Sequence, residues 1–171
     1  ILLERNEIDI EIQFIGDGAL KHQLIKKKNE KGLTNCVFID PMPKIELFKY
    51  LKQNVDIGLM ILENIPAFYY GTSPNKFFDY ISLGLPVLNN YPGWIAEMII
   101  QNNCGIAVAP DRPTEFANAL ISFKKNRNSI LEMGNNAKEL ARKQFDRDIL
   151  SKQFSDFLES FNFFLLLFNS I

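Results

Sequence analysis

Five short apolar runs, at Ile10–Ile15, Cys36–Ile39, Val55–Leu62, Leu85–Leu88 and Gly105–Val108, recur along the chain with amphipathic stretches of helical spacing between them. Strands joined by helices pair in parallel, because each helix carries the chain back over the sheet, and such a sheet has both faces covered. The fold class that follows is α/β, a parallel sheet with helices on both faces. Leu20, Leu24 and Ile25 mark the helix after the first run, and Ile45, Leu47, Phe48 and Leu51 the helix after the second. The third run feeds a long irregular loop, 63–72. A helix holding Glu97, Met98 and Ile99 follows the turn at 89–93, and two more follow Pro110–Pro113. No linker or internal repeat divides the chain.

The segment 73–88, SPNKFFDYISLGLPVL, reads as a helix start, a helix and a buried strand. Ser73 is expected to accept from the first free amides of the helix, with Pro74 where a missing N–H costs nothing. Gly84 offers a left-handed exit, and Pro86 stops the helix before the next strand. A helix begun in this way turns free amides and a partial positive charge toward whatever lies before it, each anion contact contributing roughly 0.3–1 kcal/mol. A phosphate suits that position.

Composition excludes several classes. At 171 residues and 47% hydrophobic content the chain is long and apolar enough for one domain with a sizeable core. Lys+Arg total 19 against 20 Asp+Glu, so the basic footprint of a nucleic-acid binder is missing. Cys36 and Cys104 have no CxxC partner and cannot hold a metal alone; they read as reduced thiols, which points weakly to a cytoplasmic setting. The chain opens on the charged ILLERN rather than a signal segment and reads as a fragment. From Ile149 to Phe168 a helical face carries Phe154, Phe157, Leu158, Phe161, Leu165 and Phe168, widened by Phe163, Phe164, Leu166 and Leu167. Its uninterrupted apolar run, Phe163–Phe168, is far short of the roughly 20 residues that cross a bilayer. It is expected to pack on a neighbouring domain, with a membrane interface as the alternative.

The motifs FIGDG, SPNKFFDYISLGLPVL, PGWIAEMI and CGIAVAPDRPTEFANAL, in that order, give residues 8–145 a specific likeness. The chain resembles the carboxyl-terminal, donor-binding half of a family 4 glycosyltransferase of the GT-B fold, of the kind that assembles bacterial capsule, O-antigen and exopolysaccharide. The resemblance implies a Rossmann-like domain over 1–148, lacking its first strand, followed by the apolar helix 149–171. It also implies retaining transfer of a sugar from a nucleotide-sugar, with UDP as carrier, to a glycan or lipid-linked acceptor, without metal or cofactor. The implied partners are the nucleotide-sugar and an N-terminal acceptor domain of the same parent chain. The setting is cytoplasmic, or peripheral on the inner membrane face, and this stretch alone would transfer nothing. A UDP-N-acetylglucosamine 2-epimerase-like enzyme and a non-catalytic nucleotide-binding module stand as alternatives.

The site residues follow from the residues and the resemblance together. Gly16, Asp17 and Gly18 lie between a strand and a helix, where glycine lets the backbone turn and approach a ligand, though an ordinary tight turn needs none. By resemblance Asp79 closes the family's paired-acid signature and hydrogen-bonds the donor ribose; the opening acid falls at Gly71, which departs from the pattern, so its role is absent or passes to Glu63 or Asn64. The family's basic pair follows a strand this chain lacks. Lys76 sits badly for the helix dipole; either it faces the donor phosphates with Ser73, Pro74 and the Asn75 amide, or it pairs with Asp79. Glu97, Trp94 and His22 read as an exposed acid, a packing residue and a solvated histidine. No catalytic residue is assigned.

Overall fold

The computed structural model describes residues 1–2 and 9–168, with side chains through Ser160. Its elements are β1 (Ile12–Ile15), α1 (Lys21–Glu30), β2 (Cys36–Ile39), α2 (Lys44–Asn54), β3 (Gly58–Met60), α3 (Asn75–Leu83), β4 (Val87–Asn89), α4 (Trp94–Gln101), β5 (Gly105–Ala107), α5 (Pro113–Lys125), α6 (Arg127–Gln144) and α7 (Arg147–Phe168). A single 3₁₀ turn, Pro66–Phe68, interrupts the loop before α3. Each apolar run holds a strand, and every pairing among the described residues is parallel. The strands are shorter than several of the runs; Pro86 has no N–H to give the ladder, and β4 begins only after it.

The strands do not form one continuous sheet. β1 pairs with β2, and β3, β4 and β5 pair in that order, as separate ladders. In the larger ladder the two-residue alternation of strands decides the layers. The row Leu59–Leu88–Ile106 packs toward Leu120 and Phe123 of α5, while Met60 and Val87 point to the other face, against Phe77 and Ile81 of α3 and Ile95 and Ile99 of α4. Phe77, Ile81, Val87, Ile95 and Ile99 are fully buried, each contributing about 1.5–3 kcal/mol by leaving water. This half is the core.

The smaller ladder is not covered on both faces as the sequence suggests. α1 has no buried residue, and Phe14, Leu20 and Leu24 stand 39%, 59% and 44% exposed.

α3 ends as its sequence predicts. Gly84 takes the left-handed conformation (φ 73°, ψ 29°), its N–H donates to the Ile81 carbonyl at 3.1 Å, and the Leu85 N–H donates to the Tyr80 carbonyl at 3.0 Å. That closes the helix and turns the chain into β4. α7 starts two residues earlier than expected because Asp146 caps it, its Oδ1 accepting from the Asp148 and Ile149 amides at 3.0 and 3.3 Å. Phe154, Phe157 and Leu158 are exposed on it. The side chains of the apolar stretch Phe161–Phe168 lie outside the described residues. No described helix is long and apolar enough to cross a membrane.

Candidate functional site

A cleft of about 840 Å³ opens between β1 and β3. Its polar wall is drawn from the Gly16–Gly18 turn, the start of α1 and the first two turns of α3, with Gly16, Asp17, Gly18, Lys21, Lys76 and Asp79 all facing it. Ligands of parallel α/β sheets bind in crevices of this kind, at the carboxyl ends of strands. Gly16 adopts φ 137°, a conformation strained for other residues, and its N–H donates to the Ile39 carbonyl at 3.0 Å, which carries the turn from β1 across to the end of β2.

Lysines recur at the starts of the helices around this cleft. Lys21, the first residue of α1, lies 2.6 Å from Asp40 and holds that carboxyl below the usual carboxylate range by hydrogen bonding. Lys44, the first residue of α2, lies 3.0 Å from Asp79 Oδ1, with its Nζ 5.2 Å from the centre of the Phe48 ring. Lys76, in the first turn of α3, has no hydrogen-bond or ion-pair partner among the described residues. Its surface is open to solvent, yet desolvation by the protein around the cleft lowers its pKa. The accessible surface governs here: this is an ammonium in a concave, wetted wall and not a buried charge.

The structure corrects one expectation for α3 and decides between two alternatives left open by the sequence. The helix begins at Asn75, with Pro74 as the extended residue before it (φ −76°, ψ 124°), and Ser73 makes no capping bond. With the helix starting at Asn75, Pro74 takes the capping position and Ser73 stands one residue outside it. The Pro74 carbonyl instead accepts from the Phe77 N–H at 3.0 Å, leaving the Asn75 and Lys76 amides without described partners. The Lys76–Asp79 pair does not form either, because Lys44 reaches over from α2 and takes the carboxylate. Gly16, Asp17, Gly18, Lys76 and Asp79 thus share one cleft, while Ser73, Pro74 and Asn75 do not line it. Lys44 went unnoticed in the sequence, although its signal, a base in the first turn of a helix, is the one Lys76 carries.

The loop 63–72 is irregular but tethered. Asn90 exchanges hydrogen bonds with Leu62 at its root, accepting from the Leu62 N–H at 2.8 Å and donating to the Leu62 carbonyl at 3.0 Å. Asn64 donates to Asp111 and accepts from the Tyr69 hydroxyl, so both ends of its amide are engaged. Trp94 Nε1 donates to the Thr72 carbonyl at 3.0 Å while its ring packs near Phe77 and Phe78. Glu63 is exposed, and its carboxylate has no described partner. At Gly71 a Cβ would meet only the Ala67 carbonyl oxygen at 3.8 Å, an ordinary contact, so backbone geometry does not impose glycine there. Glu97 and His22 are exposed. Among the described residues, no three His, Cys, Asp or Glu gather to hold a metal.

Parallel strands, helical crossovers and a polar cleft beyond β1 define a Rossmann-like α/β domain of the type found in GT-B enzymes. The profile of the family described as Glycosyl transferases group 1 matches residues 1–140, and the chain belongs to that family. It is similar in structure to sucrose-phosphate synthase from Thermosynechococcus elongatus, at 16% identity and a TM-score of 0.72 over 93% of this chain. It is also similar to HepE of Anabaena, solved in complex with UDP, at 17% identity and a TM-score of 0.69 over 88% of this chain. The chain spans 41% of the length of each of those solved chains. No curated protein matches it.

Proposed function

We propose that this chain is the donor-binding half of a family 4 retaining glycosyltransferase that uses a UDP-linked sugar. The observation that carries the reading is that Lys76 and Asp79, one turn apart on α3, face the same cleft as the Gly16–Gly18 turn. In this reading the Lys76 side chain and its own amide hold the diphosphate, and Asp79, steadied by Lys44, accepts from the ribose hydroxyls. Charge-assisted hydrogen bonds of that kind contribute about 1.5–3 kcal/mol each. The family and the UDP found with HepE support it. Neither metal nor cofactor enters the scheme; the donor is a substrate, and the departing diphosphate is stabilised by groups held in place beforehand. The acceptor, a glycan or lipid-linked sugar of a surface polysaccharide, would be held by an N-terminal domain, in the cytoplasm or at the inner membrane face.

Titration calorimetry of the full-length protein with UDP and UDP-N-acetylhexosamines tests this. Saturable binding that weakens on Asp79→Ala supports it, and unchanged binding in that variant overturns it. Gly71 keeps a second reading alive, a nucleotide-binding module without transferase activity. Turnover of a labelled UDP-sugar by the full-length protein separates the two.

A further inference from the structure

Among the described residues, two besides glycine take a positive φ, Asn103 at 45° and Asp111 at 56°. Asn103 stands just past the end of α4, where a left-handed residue commonly closes a helix. Asp111 ends no helix; it lies in the turn between β5 and α5. Aspartate tolerates that conformation better than most side chains, yet at a cost that glycine avoids. Nor does the Asp111 carboxylate serve α5, which starts without a side-chain cap. It accepts instead from the side-chain amide of Asn64, 47 residues earlier in the chain.

Asn64 in turn accepts from the hydroxyl of Tyr69, a buried residue. The Tyr69 main chain lies against Gly93, where a Cβ would collide with the Tyr69 carbonyl oxygen. On the other flank Leu62 exchanges two hydrogen bonds with Asn90. Glu63 therefore stands between two tethered neighbours, and its own carbonyl accepts from the Ile65 N–H at 2.7 Å. Its main chain is held from both sides while its carboxylate has no partner among the described residues. Ile61, two residues earlier, lines the cleft, so the tethers fix an acid beside it. Asp111 itself does not line the cleft.

We infer that Asp111 is a positioning residue for sugar transfer: through Asn64 it fixes the main chain at Glu63, so that this carboxylate meets the donor sugar already in place. The role rests on the donor reading above. Ordering a loop costs conformational entropy, and a group held beforehand spares that cost at the moment of reaction. A left-handed aspartate whose described partner is a distant loop is strain kept for a purpose other than closing a helix. In the donor reading UDP is held by Lys76 and Asp79 on α3. Trp94 fastens Thr72 at 3.0 Å, between Glu63 and that helix, so cutting the Asp111 tether leaves the nucleotide's own contacts undisturbed.

Turnover of UDP-N-acetylhexosamines by the full-length protein, read as UDP release, tests the role together with UDP titration and thermal unfolding. Asp111→Gly relieves the left-handed strain, which offsets the freedom it adds to the unfolded chain, so its Tm should hold within about 3 °C. Its UDP affinity should stay within about twofold while kcat drops about tenfold. Asp111→Asn keeps both the left-handed tolerance and an acceptor for Asn64, and should retain kcat within about threefold. Because Asp111 acts through Asn64, adding Asp111→Gly to Asn64→Ala should change kcat by less than about twofold. Unchanged turnover in Asp111→Gly, a kcat loss matched by a fall in Tm, an equal loss in Asp111→Asn, or a further loss on top of Asn64→Ala would each overturn the role and leave the donor reading standing. A parent protein that binds no UDP and turns over no sugar nucleotide would bring down the donor reading, and this role with it.

Discussion

Lys44 Nζ lies 3.0 Å from Asp79 Oδ1, joining the first residue of α2 to the middle of α3. The Asp79 side chain is 25% exposed and the lysine far more so, so the pair orients the carboxylate more than it stabilises the fold. Lys44→Ala should lower stability by less than about 1 kcal/mol in urea unfolding. Asp79→Asn should weaken UDP binding by roughly tenfold or more, the loss of one charge-assisted hydrogen bond, in calorimetry of the full-length protein.

If Lys76 holds the donor phosphates, as proposed, its removal should separate phosphate from nucleoside binding. Lys76→Ala should weaken UDP binding by about tenfold while leaving uridine binding within about twofold, since a point charge on the diphosphate is all that is removed. Equal losses for both ligands, read in the same titrations, would take Lys76 away from the phosphates.

The acid missing at Gly71 can be restored. Gly71→Glu meets no crowding, so its unfolding free energy should stay within about 0.5 kcal/mol of the parent. Asn64 is occupied by Tyr69 and Asp111, which leaves Glu63 as the free acid of the loop. Glu63→Gln should therefore lower the transfer rate of the full-length enzyme with little change in UDP affinity, and Gly71→Glu should recover part of it. A labelled-sugar transfer assay reads both.

Phe77 is fully buried between the larger ladder and α3's neighbours, whereas Ile45 is 74% exposed. Phe77→Ala should cost about 3–5 kcal/mol through lost contacts and the cavity left behind. Ile45→Ala should change stability by no more than about 0.5 kcal/mol. Urea midpoints at constant slope report the difference.

Burial pushes the Cys104 thiol up from 9.0 to about 11. Below pH 9 the thiol is protonated in both folded and unfolded chains. As pH rises from 9 to about 11 the unfolded chain releases its proton and the folded chain does not, so stability falls across that window, by up to roughly 3 kcal/mol. Cys104→Ala should flatten the slope of unfolding free energy against pH in that range. At pH 8 a thiol reagent should modify Cys104 only after unfolding.

The strand positions, the parallel pairing and the Gly84 exit of α3 were all legible in the chain. Each rests on short-range rules: an apolar run of strand length, a helical period, a glycine free to turn left-handed. The Ser73 cap failed because the helix starts one residue later than that reading needs, which puts Pro74, with no side-chain acceptor, at the capping position. Within the candidate site, Gly16, Asp17, Gly18, Lys76 and Asp79 were found from motif and resemblance, and Lys44 was not.

Alternating apolar and amphipathic segments were enough to determine an α/β chain with parallel strands, since burial of those runs leaves few other arrangements. Tertiary structure alone decided that Asp79 answers to Lys44 rather than Lys76, and that β1 and β3 stand apart in separate ladders. Both depend on which distant segments meet in space, and side-chain reach across two helices or a gap between two ladders leaves no mark in local periodicity.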